Sequence, residues 1–195
     1  MHPIMETIVG TLNADGTTHL APLGVHVPGG KELQLLPFRP SRTLDNLARA
    51  GVAVVNYTDD VRVFAGCLTG RRDWPLADAG ALPVRRLRDA LAHAEVRVTE
   101  TRDDKVRPRF TCAVVGETTH RPFRGFSRAQ AAVIELAIVA SRLHLLPPEE
   151  VAETLARLRV AHQKTAGENE KTAWRWLCEK IEQHAKHAER GAPAA

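Results

Sequence analysis

The chain is poor in the residues from which several common kinds of site are built. Its three cysteines, Cys67, Cys112 and Cys178, are odd in number, far apart and never in a Cys-x-x-Cys pair. They support neither a disulfide framework nor a zinc ribbon, and free thiols in a reducing cytosol are expected. Aromatic residues make up 5% of the sequence, too few for a surface that stacks bases along a nucleic acid. No apolar run comes near the ~20 residues that cross a bilayer. The opening MHPIMETIVG has neither the basic start nor the long apolar stretch of a signal peptide, so a cytoplasmic protein is expected. The glycine fingerprint G-x-G-x-x-G is missing, as are internal repeats and low-complexity tracts.

What is present is ordinary in amount and informative in order. Hydrophobic residues at 44% and charged residues at 26% suit a globular protein. A length of 195 residues suffices for one domain with a core and a helical appendage. The formal charge is +4, but acids and bases interleave, as in Arg85-Arg86-Leu87-Arg88-Asp89 and Glu179-Lys180-Ile181-Glu182. A dispersed excess of this kind fits a small anionic partner, such as a phosphorylated cofactor, better than a nucleic acid.

The first part reads as β-structure. Met5 to Thr11 is rich in β-branched residues, Asn13-Ala14-Asp15-Gly16 is a turn, and His19 to Val27 is the return strand. Glu32 to Leu36 alternates polar and apolar residues. Ser41 can cap a short helix through Ala50, with Gly51 as its stop. Val52-Ala53-Val54-Val55 predicts a central strand covered on both faces, and Val61 to Leu68 is expected to continue the sheet. Asp73 to Pro83 reads as a loop and Arg85 to Ala92 as a short helix, before a hairpin of Glu95 to Thr101 and Phe110 to Thr118. The last third is helical. Ser127 caps a helix to about Leu145, Pro147-Pro148 starts a second, and a third carries Trp174, Leu177 and Ile181 on one stripe. The tail from Gly191 to Pro193 is expected to fray. Strands first and helices last predict an α+β fold, with a β region over residues 1–125 and a helical region over 126–190.

Three stretches bear on chemistry. In Pro37-Phe38-Arg39-Pro40-Ser41-Arg42-Thr43-Leu44-Asp45-Asn46-Leu47, a helix start exposes N–H groups and its positive dipole end. Ser41 and Thr43 add hydroxyls, Arg39 and Arg42 add guanidinium forks, and Asn46 lies three residues after Thr43. That set suits a phosphate, and it equally suits a plain N-cap flanked by two solvated arginines. In Ala21-Pro22-Leu23-Gly24-Val25, Gly24 inside a strand pattern marks a bulge or a close backbone approach to a flat ligand; a strand irregularity with Pro22 on an edge fits as well. Asn56-Tyr57-Thr58-Asp59-Asp60 ends the central strand in polar residues, as a site rim or an ordinary turn would. Lys164 can reach an anion or complement a helix end. His184 and His187 read as surface histidines. No catalytic residue can be assigned.

Taken in order, ETIVGTLNADG, APLGV, PFRPSRTLDNL, VAVVNYTDD, GFSRAQAAVIELAIVASRL and HQKTAGENE resemble the family catalogued as domain of unknown function 447. The likeness runs from Glu6 to about Trp174 and is weakest from Arg71 to Ala92. It implies an antiparallel split β-barrel that binds FMN, akin to flavin reductases, with a C-terminal helical part. Such barrels form homodimers and hold FMN between subunits. On this likeness Ser41, Thr43 and Asn46, with Arg39 or Arg42, look like the phosphate site. Leu23, Gly24 and Val25 look like the strand beside the isoalloxazine ring, and Asn56 and Asp60 like rim residues. Arg128 and Lys164 are further candidates for the phosphate. Ser127 stands where such families carry an Asn, which departs from the pattern. The implied function is a flavoprotein that passes hydride from NADH or NADPH through FMN. Alternatives are a non-catalytic FMN carrier and an FMN-dependent enzyme of a pterin or one-carbon pathway.

Overall fold

The computed structural model describes residues 2–191. Its strands are β1 (Ile4–Leu12), β2 (Thr18–Gly29), β3 (Glu32–Leu35), β4 (Val52–Tyr57), β5 (Leu76–Ala77), β6 (Arg86–Leu87), β7 (Ala92–Arg102) and β8 (Arg109–Thr119). Its helices are α1 (Arg42–Ala50), α2 (Val61–Leu68), α3 (Arg128–Ser141), α4 (Pro148–Thr165) and α5 (Glu168–Gly191). Of the tail expected to fray, all but Gly191 lies outside the described residues. Two compact units result: Met1–Asp59 with Asp73–Phe123, and Asp60–Arg72 with Arg124–Ala195.

In the first unit six antiparallel strands close into a barrel in the order β1-β2-β3-β8-β7-β4. Alternation of side chains decides what points inward. Val9, Val25, Leu35, Val55, Val96 and Phe110 meet in the interior, one from each strand, and Leu44 and Leu47 of α1 join them. The Val52–Val55 run is covered on both faces, as its sequence predicts. Ala53 and Val55 point into the barrel, and Val52 and Val54 point outward under Leu82 and Val84.

That outer cover is a strap, residues 73–91. It was expected to be a loop followed by a short helix at Arg85 to Ala92; instead the second half holds β6, paired with β5. The reason is a set of polar clamps that helix propensity does not see. The Glu95 carboxylate accepts the Ala81 and Leu82 N–H groups at 3.2 and 2.7 Å. Asn56 accepts the Leu87 N–H at 2.8 Å, and the Thr18 hydroxyl accepts that of Arg85 at 3.0 Å. These bonds tie the chain to the barrel wall rather than letting it coil.

In the second unit, Val61 to Leu68 is the helix α2 and not a further strand. Asp60 caps it, accepting the Arg62 N–H at 3.0 Å. The run Val61-Arg62-Val63-Phe64-Ala65 is apolar enough for either structure, and the cap decides. Val61 and Ala65 then pack with Ala132, Leu136, Ala173 and Leu177 from α3 and α5. Ser127 caps α3 through the Gln130 N–H, and Pro148 opens α4. Among the described residues no helix is long and apolar enough to cross a membrane.

Candidate cofactor site

The start of α1 is built as its sequence suggests. Ser41 is extended, its hydroxyl accepts the Leu44 N–H at 3.2 Å, and its carbonyl accepts that of Asp45 at 3.1 Å. Among the described hydrogen bonds none uses the N–H groups of Arg42 and Thr43, which remain at the positive end of the helix. Gly51 ends the helix with φ at 63°, a left-handed conformation that suits glycine. The helix packs beside β1 and β2.

The candidate side chains around this start are not equivalent. Arg39 and Arg42 are exposed, and Arg39 pairs with Asp103 at 2.9 Å. The turn between β7 and β8 grips the same segment twice more. Val106 accepts the Arg39 N–H, and Arg107 donates from both Nε and Nη2 to the Leu36 carbonyl while lying over the Phe38 ring. In that turn the N–H groups of Arg107 and Val106 hold the Asp104 carboxyl below its ordinary value. Thr43 and Asn46 are buried. The Asn46 amide donates to the Thr11 hydroxyl at 3.1 Å and to the Asn13 side chain at 2.9 Å, so both its hydrogens anchor α1 to the end of β1. Arg49 adds a bond to the Leu12 carbonyl.

Gly24 sits in regular register opposite Glu6, not in a bulge; the irregularity in β2 lies between His26 and Gly29. A Cβ at Gly24 would stand 2.8 Å from the Ile4 methyl, so glycine is required by the neighbouring side chain. Val25 points into the core, and Leu23 packs against it. Strand β3 meets β2 only at His26 and Gly29, so from Leu20 to Val25 the far edge of β2 has no partner strand among the described residues.

Asn56, expected at a rim, is fully buried. It donates to the Ile8 carbonyl at 2.9 Å and accepts from Leu87, which makes it an internal clamp. Asp60, Arg128 and Lys164 all belong to the helical unit. Asp60 caps α2 and pairs with Arg62 at 2.6 Å; Arg128 is exposed in the first turn of α3, and Lys164 in the last turn of α4. His184 and His187 are exposed and line a cleft of about 320 Å³ with His144 and Lys180. Among the described residues no group of three or more side chains could hold a metal ion.

Sequence reasoning missed three buried groups, His93, Glu95 and His162, and the half-buried partner of the first, His120. His93 and Glu95 sit on β7, and His120 just beyond β8. His162 stacks on Trp174 at 4.4 Å with its Nε2 unpartnered, and burial holds it below the usual histidine value. The one available signal was a polar residue recurring in an apolar strand, as at His93 and Glu95 around Ala94.

A closed antiparallel barrel with an open edge on β2, followed by helices, is a split-barrel fold. The chain belongs to the DUF447 family. The model described as "Protein of unknown function (DUF447) N-terminal domain" matches residues 5–121, and its C-terminal counterpart matches residues 127–179. Among solved structures, the FMN-bound protein MM1853 from Methanosarcina mazei is similar over 92% of this chain and 96% of its own, with 19% identity and a TM-score of 0.79. Flavoredoxin from Methanosarcina acetivorans is similar over 61% of this chain and 69% of its own, with 19% identity and a TM-score of 0.50. The styrene monooxygenase flavin reductase from Pseudomonas putida S12 matches 58% of this chain and 77% of its own, with 14% identity and a TM-score of 0.50. At these identities the likeness establishes the fold.

Proposed function

We propose that this protein is an FMN-binding flavoprotein that passes hydride from NADH or NADPH to the flavin and on to an acceptor. The observation that carries the reading is the start of α1, where the N–H groups of Arg42 and Thr43 meet no partner among the described hydrogen bonds and the exposed Arg39 and Arg42 flank the Ser41 cap, in a fold shared over almost its whole length with an FMN-bound protein. The residues there fit a phosphate: the donors are cationic or at a helix start, and the described carboxylate partner, Asp103, is exposed and pairs with only one of the arginines. FMN, when bound, supplies the two-electron chemistry that no side chain here offers.

In this reading Arg39, Arg42, Ser41 and the N–H groups of Arg42 and Thr43 hold the phosphate. The unpaired edge of β2 beside Leu23, Gly24 and Val25 offers main-chain donors and acceptors to the flavin ring. Asn46 and Asn56 serve by holding α1 and the strap in place. A second copy of the chain completes the site, and a monomer in light scattering with FMN present would count against that part.

Because Thr43 is buried, the test uses the two exposed arginines. Arg39→Ala with Arg42→Ala is expected to weaken FMN binding by about one to two decades, the worth of one charged hydrogen bond. Riboflavin carries no phosphate, and its affinity should stay the same. Equal losses for both ligands, or unchanged FMN affinity, would sink the assignment. Oxidation of NADH or NADPH with FMN present separates an enzyme from a carrier.

A further inference from the structure

A histidine pair fastens the strap to the barrel wall. His93 is buried on β7, and its ring lies parallel to that of His120, with 1° between their planes and 5.1 Å between centroids. Nδ1 of His93 stands 2.9 Å from Nε2 of His120. The rings therefore meet edge to edge through a hydrogen bond and are not stacked face to face. On the other side, Nε2 of His93 lies 3.1 Å from the carbonyl of Ala79, in the strap.

A carbonyl oxygen only accepts, so Nε2 of His93 carries a hydrogen. In the neutral ring Nδ1 is then an acceptor, and His120 donates its Nε2–H to it. One added proton can be held without losing a bond: His93 donates from both nitrogens, and His120 accepts at Nε2 while its own hydrogen moves to Nδ1. A second added proton cannot. Both rings would then present N–H groups to each other across 2.9 Å, with a positive charge on each side.

We propose that the His93–His120 pair is an acid-operated latch: it holds the Ala79 end of the strap against the barrel until both rings are charged, and then releases it. The charged groups around the pair bear on the same equilibrium. Arg86 of β6 opposes charge on both rings, and Glu95 of β7 favours it on His93. Glu117 of β8 lies opposite Ala94, next to His93, while β4 contributes only the neutral Asn56 opposite His93. Arg121, adjoining His120, is drawn to Asp59 at 3.8 Å and to the Asp89 carbonyl. Burial is the largest influence on both imidazoles and holds both below the ordinary value of 6.5. The closed strap thus binds protons more weakly than the open one, and its advantage is lost as pH falls below that value. What release uncovers is the apolar outer face of β4, Val52 and Val54, now under Leu82 and Val84.

Amide hydrogen exchange across pH 7.5 to 4.5, corrected for intrinsic rates, tests the latch on the whole chain. Protection at Ala81, Leu82 and Leu87 should fall about five- to tenfold on the acid side, the fold-change of one buried hydrogen bond lost. Amides in the β2–β3 region, such as Val27 bonded to the Pro3 carbonyl, should hold. His93→Gln keeps a donor for Ala79 and an acceptor for His120 without a titrating ring, and its strap should stay protected throughout. A strap that loosens equally in the variant overturns the proposal. Should the variant misfold, imidazole nitrogen spectra of the natural chain decide. Charging of both rings in the pH window where protection falls supports the latch; loosening while His93 stays neutral, or both rings charged with the strap still protected, refutes it.

Discussion

The barrel unit and the helical unit bury their polar groups in opposite ways. In the barrel unit Glu95, Asn46, Asn56, His93, Thr7 and Thr11 are all buried, and each meets a hydrogen-bonding partner; Thr7, for one, donates to the Leu23 carbonyl at 2.9 Å. In the helical unit the core is small and apolar, with Ala65, Ala132, Ala137, Ala140 and Ala173 between Leu136, Leu177 and Trp174. Its one buried polar side chain, His162, leaves Nε2 without a partner among the described residues. A barrel wall must hold an irregular segment, the strap, whose main-chain groups are not all satisfied by their own secondary structure. Side chains such as Glu95 and Asn56 supply the missing partners. Helices satisfy their own backbone, so close approach through alanines is enough to hold them.

The largest effect that this contrast predicts is at Glu95. Replacing Glu95 by Ala strands the buried Leu82 N–H, worth about 1–3 kcal/mol, and frees the half-buried N–H of Ala81, and should lower the midpoint of urea unfolding accordingly. Exchange should rise first at Ala81 and Leu82. In the helical unit the weak point is volume rather than polarity. Ala137→Leu should cost about 1–3 kcal/mol by overpacking, whereas Ala137→Ser, nearly the same size, should cost less. If the serine proves worse than the leucine in thermal unfolding, the contrast between the units fails.

Smaller effects sharpen the picture. Ser41→Ala removes the α1 cap and should cost about 1 kcal/mol, while Ser41→Asp should retain most of the stability and weaken FMN binding through charge repulsion. Retained FMN affinity in Ser41→Asp would move the phosphate away from this helix. The smallest expected effect is that of a reducing agent on the thermal midpoint, which should be nil because all three cysteines are free. Burial pushes the Cys112 thiol up to about 12 and Cys67 to about 11, so alkylation at neutral pH should be slow at both unless the fold opens.

The sequence by itself determined the local elements whose ends carry their own chemistry. The α1 helix runs from its Ser41 cap to its Gly51 stop, α3 follows Ser127, α4 opens at Pro148, and the first hairpin turns at Asn13 to Gly16, because caps and turns satisfy nearby backbone and need no distant partner. The order of strands and helices was legible for the same reason. The candidate phosphate site was legible as residue types at a helix start. Only the tertiary structure decided which of those residues face outward: Arg39 and Arg42 stay exposed, whereas Thr43 and Asn46 turn inward, and Asn56 is a clamp rather than a rim. It also decided that Val61 to Leu68 coils and that the second half of the strap does not. Those outcomes rest on bonds between residues far apart in the chain, such as Glu95 with Leu82 and Asn56 with Leu87. The free energy of such a bond exists only once the barrel has brought its two ends together.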